Sequence, residues 1–395
     1  MKIKVYDDIH LLTLLHSIND LEFDPEVTEE NMEAIFVRSK DLKKMTLPKT
    51  LAAIGRAGSG VDNIPLDWCS RNGVAVFNAP GCNSNAVKEM VLAALVMSAR
   101  PMLQAANALT KDPKNPEKLK KEFKGHELAE KNILILGMGA IGSRVANMCL
   151  ALDMAVYAHD PFVDQQKFDP RIKFVANLDE AAKLHLNFIT IHSALTDQNR
   201  KMVNRKFFHG SGVGIINFAR AEFVDEQDLL DDLQTGRVRA YISDFVPKEI
   251  PIEEFLKTGR AIFFPHLGAS TYEAETKATQ MVGGRINDFF YYGICQGSVN
   301  FPNTNEDEVS VGCVRLLVSS FNQPGVTETI HKVILSAGLN INSVVNEGRA
   351  DTGIVISRVD FHADSSDERL LKVREVIEAI EGVTRVRICD PESRY

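Results

Sequence analysis

The amino-acid sequence predicts an α/β fold with a doubly wound parallel sheet and a smaller βαββαβ domain at the carboxyl end. Two observations support the parallel sheet. Short β-rich runs alternate with helical patterns through the middle of the chain, and these runs lack the two-residue alternation of half-exposed strands. A third observation supports the smaller domain, because a new order of strand-like and helical runs begins after about residue 309. More than one domain is therefore expected.

The first 98 residues contain an α/β pattern of their own. The apolar runs AIFVRSK and VAVFNAP end in residues typical of turns, and the second leads into the helical stretch NAVKEMVLAALVMSAR. The main sheet is predicted over residues 99–267, where helical stretches such as AIGSRVANMCLAL separate the strands. These strands are predicted at NILILG, AVYAHD, NFITIHSA, VGIINFA, RAYISDF and AIFFPH.

The carboxyl part of the chain begins with one long predicted helix, TYEAETKATQMVGGRINDFFYYG. The stretch after it is polar and rich in Pro, Gly and Asn, which indicates a linker, placed at residues 301–308. Residues 309–395 then give a strand, a helix, two strands, a helix and a strand. This βαββαβ order is typical of a compact ferredoxin-like domain.

The composition narrows the class of binding partner. The chain of 395 residues is 45% hydrophobic and 25% charged and has a formal net charge of −8. Because no block of Lys and Arg occurs, we expect a small molecule rather than nucleic acid or an anionic membrane as partner. The start MKIKVYDDIH contains no apolar signal region, which favours a cytoplasmic location. The six cysteines form no C-x-x-C pair and have no histidines at zinc spacing, so we expect reduced thiols and no metal site.

A glycine motif, GMGAIG, follows the apolar strand NILIL and opens a helix. Gly137, Gly139 and Gly142 permit a tight turn and the close approach of a pyrophosphate to the amino terminus of the helix. Free N–H groups in that first turn, which includes Ala140 and Ile141, favour an anion. In this context the motif predicts a Rossmann-type domain that binds a dinucleotide.

The residue at the end of the next strand, Asp160, bears on which dinucleotide binds. A carboxylate there is expected to accept hydrogen bonds from the ribose diol of the adenosine. It would also repel a 2′-phosphate, and the neighbours His159, Pro161 and Phe162 include no arginine to neutralise it. The sequence therefore favours NAD over NADP as the cofactor.

Three ionisable residues follow consecutive predicted strands: Arg220 after IINFA, Glu249 shortly after ISDF, and His266 after IFF. Each of the three alone could be a solvated or capping residue. However, the carboxyl ends of parallel strands meet at one edge of the sheet, where ligands bind, so the three residues are expected to converge there. A histidine can accept a hydroxyl proton near neutral pH, a carboxylate can orient its ring, and an arginine can hold a substrate carboxylate bidentately. Together they predict the oxidation of a 2-hydroxy acid by hydride transfer.

The stretches GMGAIG, INFARAEFVDEQDL, DFVPKEIP and PHLGAST resemble, in this order, the motifs of the D-isomer-specific 2-hydroxyacid dehydrogenase family. The resemblance covers residues 1 to about 300. It implies that Arg220, Glu249 and His266 are the catalytic residues. It further implies that His266 lies beside the cofactor, together with Asp244, which holds the nicotinamide carboxamide, and Ala219.

The same resemblance implies two lobes, with a flavodoxin-like substrate domain formed by residues 1–98 and 268–300 and an NAD domain at 99–267 between them. It also implies assembly as a homodimer or homotetramer. The chain departs from the family at two places, where Ala194 replaces a common Pro and Ala221 a common Gly. Neither change removes a reacting group, and Ala221 requires an ordinary backbone conformation or mild strain.

Arginines of the amino-terminal region point to a phosphorylated substrate. Family members that carry a tail of this kind have equivalent RS and GRAG elements, which face the phosphate and the carboxylate of the substrate. An arginine can bind a phosphate bidentately. An arginine in such a loop can equally be a solvated side chain that binds no ligand. The substrate residues that this resemblance implies, besides Arg220, are Arg38, Ser39, Arg56, Ser59, Gly60, Val61 and Asn83.

The βαββαβ tail resembles an ACT regulatory domain. The resemblance implies that such domains pair side by side and bind an amino-acid effector. Three residues bind the effector in such domains. A His and an Asn lie just before a Pro-Gly pair, and a second Asn lies at the end of the first helix. Asn322 and Asn340 match, whereas Ser320 stands at the His position. We therefore predict that the tail pairs subunits and that serine binds weakly or is replaced by another amino acid.

Two other functions stay open. A glyoxylate or hydroxypyruvate reductase would share the three catalytic residues but would need neither the amino-terminal arginines nor the tail. The alternative of another class is an NAD-sensing, corepressor-like binding protein. The complete set of catalytic residues and the lack of a basic face weigh against the latter.

Overall fold

The computed structural model describes residues 1–7, 9, 13, 27–207, 212–304, 309–310 and 312–390. The chain divides into two compact units, the first formed by Met1–Cys82 with Glu275–Tyr395 and the second by Asn83–Ala274. Among the helices of the described residues, none is long and apolar enough to cross a membrane.

The first unit contains a sheet of four short parallel strands. They are β1 (Ile3–Val5), β2 (Ala34–Val37), β3 (Ala53–Arg56) and β4 (Ala75–Phe77), in this order across the sheet. Alternate residues of β2 face opposite sides. Ala34 and Phe36 pack in one apolar cluster with the helix Tyr272–Tyr292, and Ile35 and Val37 pack in another with the helix α1 (Leu66–Arg71). The flavodoxin-like order that the resemblance implies for this domain stays a prediction.

The tail of the first unit forms an antiparallel sheet with two helices. Its elements are β12 (Val314–Phe321), α10 (Val326–Ser336), β13 (Ile341–Arg349), β14 (Ile354–Phe361), α11 (Glu368–Glu378) and β15 (Val383–Cys389). The strand order is β13-β14-β12-β15 with antiparallel pairs. The βαββαβ arrangement that the sequence predicts is confirmed.

One face of the tail sheet packs on α10 and α11, and the other packs on the rest of the first unit. On the second face, Leu317, Ile356 and Cys389 share an apolar cluster with Phe77 and Phe289. Polar contacts join the same surfaces, because Arg315 NH1 donates to the carbonyl O of Tyr292 (2.7 Å) and Arg385 Nε donates to the carbonyl O of Asn72 (3.3 Å). The tail is therefore an integral part of the first unit.

The predicted linker is not a free tether over its described part. Phe301 and Thr304 are buried, and Thr304 Oγ1 accepts a hydrogen bond from the N–H of Cys295 (2.8 Å). Just before it, Asn300 Oδ1 accepts a hydrogen bond from the N–H of Val76 in β4 (2.8 Å). Asn side chains predict a turn, but here they complete the backbone hydrogen bonds of an edge strand. Residues 305–308 lie outside the described residues.

The second unit contains a seven-stranded sheet in which all paired strands are parallel. Its strands are β5 (Asn132–Leu136), β6 (Ala155–His159), β7 (Lys173–Phe174), β8 (Phe188–Ile191), β9 (Val213–Asn217), β10 (Val238–Ser243) and β11 (Ala261–Phe263). Its helices are α2 (Ser84–Ala99), α3 (Met102–Lys111), α4 (Pro116–Glu122), α5 (Ala140–Ala151), α6 (Leu178–Ala182), α7 (Glu226–Thr235) and α8 (Ile252–Lys257). The helix Tyr272–Tyr292 of the first unit is α9.

The strand order of this sheet is β11-β10-β9-β8-β5-β6-β7. The chain therefore builds outward from β5 on one side through β6 and β7, and then on the other side through β8 to β11. The reversal beside β5 is the point at which open α/β sheets bind ligands, at the carboxyl ends of the strands. The predicted doubly wound fold is confirmed, and it brings the ends of β9, β10 and β11 to the same edge as the glycine motif.

Candidate active site

The turn between β5 and α5 has the backbone geometry of a dinucleotide site. Gly137 has a φ of 94°, and a Cβ atom there would lie 2.6 Å from the backbone N of Ser193. A Cβ atom at Gly142 would collide with the carbonyl O of Gly137. Gly139, by contrast, precedes α5 with open space where its Cβ would be. Two glycines thus permit the turn itself, and the third leaves room for a ligand.

The first turn of α5, which includes Ala140 and Ile141, begins directly after Gly139. The leading N–H groups of a helix lack partners within the helix. They favour an anion because the helix dipole adds partial positive charge there. The open space at Gly139 and these donors fit the pyrophosphate of a dinucleotide.

The carboxylate of Asp160 holds the glycine turn from the neighbouring strand end. Its Oδ2 accepts a hydrogen bond from the N–H of Met138 (2.8 Å), and its Oδ1 accepts one from the N–H of Phe162 (3.0 Å). A carboxylate has about four acceptor positions, so Asp160 keeps capacity for the hydroxyls of a ribose. The contact of Asp160 with a ribose stays a prediction, and its bond to the turn is a role that the sequence did not indicate.

The ring of Phe245, directly after β10, contacts two of the three predicted catalytic residues. The guanidinium carbon of Arg220 lies 5.5 Å from the centroid of the Phe245 ring, and the centroid of the His266 ring lies 4.7 Å from it. Arg220 NH1 also donates to the carbonyl O of Ala219 (2.7 Å), which fixes the direction of the guanidinium. Ala221 opens a 3₁₀ turn after Arg220, a conformation open to any residue. The strand ends therefore bring Arg220 and His266 together, as the sequence predicts.

The backbone that carries His266 is held by Asp244. His266 has a φ of 57°, in the left-handed region that a histidine adopts at a cost. Asp244 Oδ1 accepts from the N–H of Leu267 (2.7 Å) and Oδ2 from the N–H of Gly268 (2.8 Å). Burial raises the pKa of Asp244, while these two donors and the His266 ring oppose that shift. Asp244 thus supports the conformation of His266, and its contact with a nicotinamide stays a prediction.

The carboxylate of Glu249 binds a lysine that the sequence argument missed. Its Oε2 accepts a hydrogen bond from Nζ of Lys201 (2.7 Å), and Lys201 Nζ also lies 3.8 Å from Asp225. This hydrogen bond raises the pKa of Lys201. In this structure the partner of Glu249 is therefore Lys201, and the pairing of Glu249 with His266 stays a prediction. Lys201 lies 48 positions before Glu249, so no sequence pattern indicates that the two residues pair.

A second missed residue, Glu226, fixes the loop that carries Glu249. Glu226 lies in the first turn of α7 and is buried. Its two carboxylate oxygens accept hydrogen bonds from the N–H groups of Lys248 (2.6 Å), Glu249 (2.8 Å) and Ile250 (2.8 Å). In the sequence it resembles an ordinary acid at a helix amino terminus, so only its burial distinguishes it.

A further histidine, His192, follows β8 at the same edge but cannot act as the base. Its Nε2 lies 2.9 Å from Oγ1 of Thr190, and burial lowers its pKa to about 3. The ring is therefore neutral at all physiological pH values. Of the histidines after β8 and β11, His266 therefore remains the candidate base.

The predicted substrate residues of the first unit lie in two adjoining loops. Arg56 Nε donates to the carbonyl O of Arg38 (3.2 Å), so the two arginines share one site. The Arg38 guanidinium forms an ion pair with Glu275. The N–H groups of Arg38 (2.8 Å), Ser39 (2.8 Å) and Lys40 (3.1 Å) all donate to Oδ2 of Asp7. Asp7 was not anticipated from the sequence.

The second of these loops continues through Ser59, Gly60 and Val61. Ser59 Oγ donates to the carbonyl O of Ala79 (3.2 Å), and the Ser59 carbonyl O accepts from Nδ2 of Asn78 (2.6 Å). The Val61 carbonyl O accepts from the N–H of Ile64 (3.0 Å), which turns the chain into α1. Asn83 belongs to the second unit, where it precedes α2.

The predicted effector residues of the tail are exposed. The N–H of Asn322 donates to the carbonyl O of Gly353 (2.8 Å), and the carbonyl O of Asn340 accepts from the N–H of His362 (3.2 Å). Both side chains therefore stay available at the surface of the βαββαβ domain. Ser320, which stands where the resemblance implies a histidine, is buried in β12.

The model of the D-isomer specific 2-hydroxyacid dehydrogenase NAD binding domain matches residues 92–268. The chain is 34% identical over 235 residues to a hydroxypyruvate reductase of Thermotoga maritima, which covers 58% of this chain and 74% of that relative. The chain belongs to the D-isomer-specific 2-hydroxyacid dehydrogenase family. The NAD-binding domain that Asp160 and the glycine motif predict is thereby confirmed.

Other members of the family are similar over more of the chain. A D-3-phosphoglycerate dehydrogenase of Methanocaldococcus jannaschii is 30% identical over 325 residues, or 78% of this chain. The chain spans only 61% of that relative. The solved structure of an NAD⁺-bound 3-phosphoglycerate dehydrogenase from Entamoeba histolytica superposes with a TM-score of 0.60 at 25% identity, covering 76% of this chain and 98% of that one. The family fold thus extends well beyond the NAD-binding domain.

Proposed function

We propose that this chain is an NAD-dependent D-3-phosphoglycerate dehydrogenase. It would oxidise 3-phospho-D-glycerate to 3-phosphohydroxypyruvate, the first step of L-serine biosynthesis. The observation that carries the proposal is the contact of Phe245 with both Arg220 and His266. Through this contact Arg220, which can bind a substrate carboxylate, lies near His266, which can accept a hydroxyl proton. Both residues lie at the sheet edge that also bears the glycine turn. Relatives named D-3-phosphoglycerate dehydrogenase support the choice of substrate.

In the proposed reaction, His266 accepts the proton of the C2 hydroxyl as the carbonyl forms. Arg220 holds the adjacent carboxylate through paired N–H donors and so fixes C2 in place. The glycine turn, with Gly137, Gly139 and Gly142, would hold NAD, which would supply the acceptor for the hydride of C2. The resulting imidazolium is stabilised by Glu249 once that carboxylate turns from Lys201. Asp244 and Phe245 keep the His266 ring in position throughout.

The phosphate of the substrate is assigned to Arg38 and Arg56. Their shared hydrogen bond supports a single anion site, and a phosphate would take the place of Glu275 beside Arg38. We expect Arg38→Ala and Arg56→Ala to raise KM for 3-phosphoglycerate at least tenfold more than KM for D-glycerate. Arg71→Ala, an exposed arginine of the same unit, is the matched control. Equal losses on the two substrates would refute the assignment.

A second candidate is a hydroxypyruvate or glyoxylate reductase, which the relative in Thermotoga maritima favours. It would use the same Arg220, Glu249 and His266 without a phosphate site. The ratio of kcat/KM for 3-phosphoglycerate to that for D-glycerate separates the two functions. A ratio well above one supports the phosphoglycerate dehydrogenase, and a ratio below one supports the reductase.

We further propose that the chain assembles as a homodimer or homotetramer and that an amino-acid effector binds at Asn322 and Asn340. In support of assembly, α3 has no buried residue and exposes Met102, Leu103 and Leu109. Leu103→Asp should therefore reduce the assembly size measured by light scattering, whereas Lys111→Asp on the same helix should not. An unchanged size in Leu103→Asp would remove α3 from the subunit interface.

A further inference from the structure

Glu275 places a negative charge beside Arg38, which the proposed function assigns to the substrate phosphate. The Glu275 carboxylate forms an ion pair with NH1 of Arg38, and the two side chains are 24% and 28% exposed. Water therefore screens the pair only in part. The guanidinium of an arginine is charged at every physiological pH and donates to carboxylates and phosphates alike. Glu275 thus holds donors that a phosphate at Arg38 would need.

The backbones that carry these two charges are held together by packing. Glu275 is the fourth residue of α9, and Val282 of the same helix packs on β3 at Gly55, where a Cβ atom would collide with Cγ1 of Val282. Phe36 in β2, two residues before Arg38, belongs to the apolar cluster that includes Val282. The ion pair can therefore open by side-chain rotation, without a change in the packing of α9 on the sheet.

The loop of Arg38 is held by contacts other than Glu275. The N–H groups of residues 38–40 donate to Oδ2 of Asp7 (2.8, 2.8 and 3.1 Å). The carbonyl O of Arg38 accepts from Nε of Arg56 (3.2 Å), which brings the second predicted phosphate residue to the same place. Glu275 is thus not needed to shape the loop, and what it adds to the site is negative charge. Such a charge favours the empty site over a site that holds an anion.

An internal carboxylate of this kind has a defined effect on binding. Because an anion takes the donors of Arg38 only when Glu275 has left them, the apparent affinity of that anion falls with the fraction of chains in which the pair is open. A ligand with no anion at this place keeps its affinity. When a phosphorylated product leaves, the carboxylate returns to Arg38, which favours release. Product release limits the turnover of many enzymes.

We propose that Glu275 is a specificity-determining residue that competes with the phosphate of the substrate for Arg38. It lowers the affinity for phosphorylated ligands, leaves that for unphosphorylated 2-hydroxy acids unchanged and speeds the release of the phosphorylated product. The effects on substrate preference and on release rest on the proposed function. The competition with an anion at Arg38 does not.

Competition is tested on the full chain by calorimetry with inorganic phosphate. Glu275→Gln should bind phosphate about threefold or more tightly than the unaltered chain, because it removes a partly exposed ion pair that opposes binding. Glu273→Gln is the matched control, since Glu273 is exposed and residues two apart on a helix face different sides. An unchanged affinity in Glu275→Gln would overturn the proposal. A lower affinity would also overturn it, because Glu275 would then orient Arg38 for the anion.

Two further variants exclude other sources of the gain. Glu275→Ala should raise the phosphate affinity as Glu275→Gln does, since both remove the charge and only Gln supplies an amide. A gain in Glu275→Gln alone, with both variants folded by thermal unfolding, would overturn the proposal. The double variant Arg38→Ala, Glu275→Gln should bind phosphate no more tightly than Arg38→Ala, because the gain acts through the guanidinium. A gain that persists without Arg38 would place the phosphate elsewhere and overturn the proposal.

Specificity and release are tested by kinetics. Glu275→Gln should lower KM for 3-phosphoglycerate about threefold or more and lower kcat as product release slows, while KM for D-glycerate stays nearly constant. An equal fall of both KM values would overturn the role in specificity, and an unchanged kcat the role in release. Should Glu275→Gln bind phosphate more tightly in a chain that fails to oxidise 3-phosphoglycerate, the proposed function would fall and the competition would stand.

Discussion

Nζ of Lys201 lies 2.7 Å from Oε2 of Glu249, the carboxylate expected to support the catalytic histidine. The backbone of Lys201 has a φ of 52°, so the residue is held in a left-handed conformation that only surrounding structure can maintain. The hydrogen bond raises the pKa of the lysine, which keeps it charged throughout the physiological range. Lys201 is therefore the charged partner of Glu249 in this structure.

The first prediction follows from this pair. Lys201→Met should free Glu249 for His266, and a free carboxylate nearby favours the imidazolium. The acidic limb of the pH profile of kcat/KM, which reports the base, should move to higher pH. Lys248→Met is the matched control, because Lys248 binds Glu222 rather than Glu249. An unmoved profile in Lys201→Met would show that Glu249 does not reach the histidine.

The second prediction concerns His266 itself. His266→Ala should lower kcat by about 10² to 10⁴, the range for a general base, and leave the affinity for NADH within about threefold. His192 cannot replace it, because burial lowers the His192 pKa to about 3. Steady-state kinetics and NADH fluorescence titration measure the two quantities, with the exposed His185→Ala as control. Unchanged turnover would exclude His266 from the mechanism.

The third prediction tests Glu226 as a positioning residue. Glu226→Ala leaves three backbone N–H groups of residues 248–250 without their acceptor, so the loop that carries Glu249 should loosen. We expect kcat to fall about tenfold or more and the pH profile of kcat/KM to shift, because a misplaced Glu249 no longer stabilises the imidazolium of His266. Glu226→Gln, which keeps one acceptor oxygen, should restore part of the rate. A purely structural role would lower the melting temperature without moving the pH profile.

The fourth prediction is a pH dependence of stability. Burial alone would raise the pKa of Asp7, but the N–H groups of residues 38–40 and the charge of Lys40 lower it below its ordinary 3.8. A lowered pKa stabilises the folded state at pH values above the unfolded-state pKa. This stabilisation is lost as the pH falls through the folded-state pKa. Because water screens this exposed carboxylate, Asp7→Asn should lower Tm by no more than about 2 °C at pH 7, and the effect should shrink as the pH falls below the ordinary value of 3.8. An equal loss at pH 7 and at pH values below 3.8 would contradict this, and Asp67→Asn in α1 is the control.

The fifth prediction concerns the choice of cofactor. Asp160→Ala removes both the ribose acceptor and the bond to Met138. We expect a rise in KM for NAD of at least tenfold and a smaller rise for NADP, because the repulsion of the 2′-phosphate disappears with the carboxylate. Kinetics with both cofactors measure the ratio. A ratio that stays constant would remove Asp160 from the adenosine site.

Features set by local sequence could be predicted, and features set by distant side chains could not. The glycine turn, the strand ends at Arg220 and His266, and the βαββαβ tail follow from periodicity and from residues with special backbone preferences. The bond from Glu249 to Lys201 and the three bonds of Glu226 join residues 22 to 48 positions apart. No pattern within a single element encodes them. The position of Phe245 between two catalytic residues is of the same kind, since an aromatic residue after a buried strand usually indicates core packing alone.

The packing of the tail sheet on Phe77, Phe289 and Phe301 has a consequence for how the protein is made and degraded. This aromatic surface is fully buried only after the tail strands that cover it, β12, β14 and β15, have left the ribosome. Nascent or truncated chains that end before the tail would display it to chaperones and proteases. Loss of the tail should therefore lead to misfolding and degradation of the chain, and not to an enzyme that is merely released from regulation.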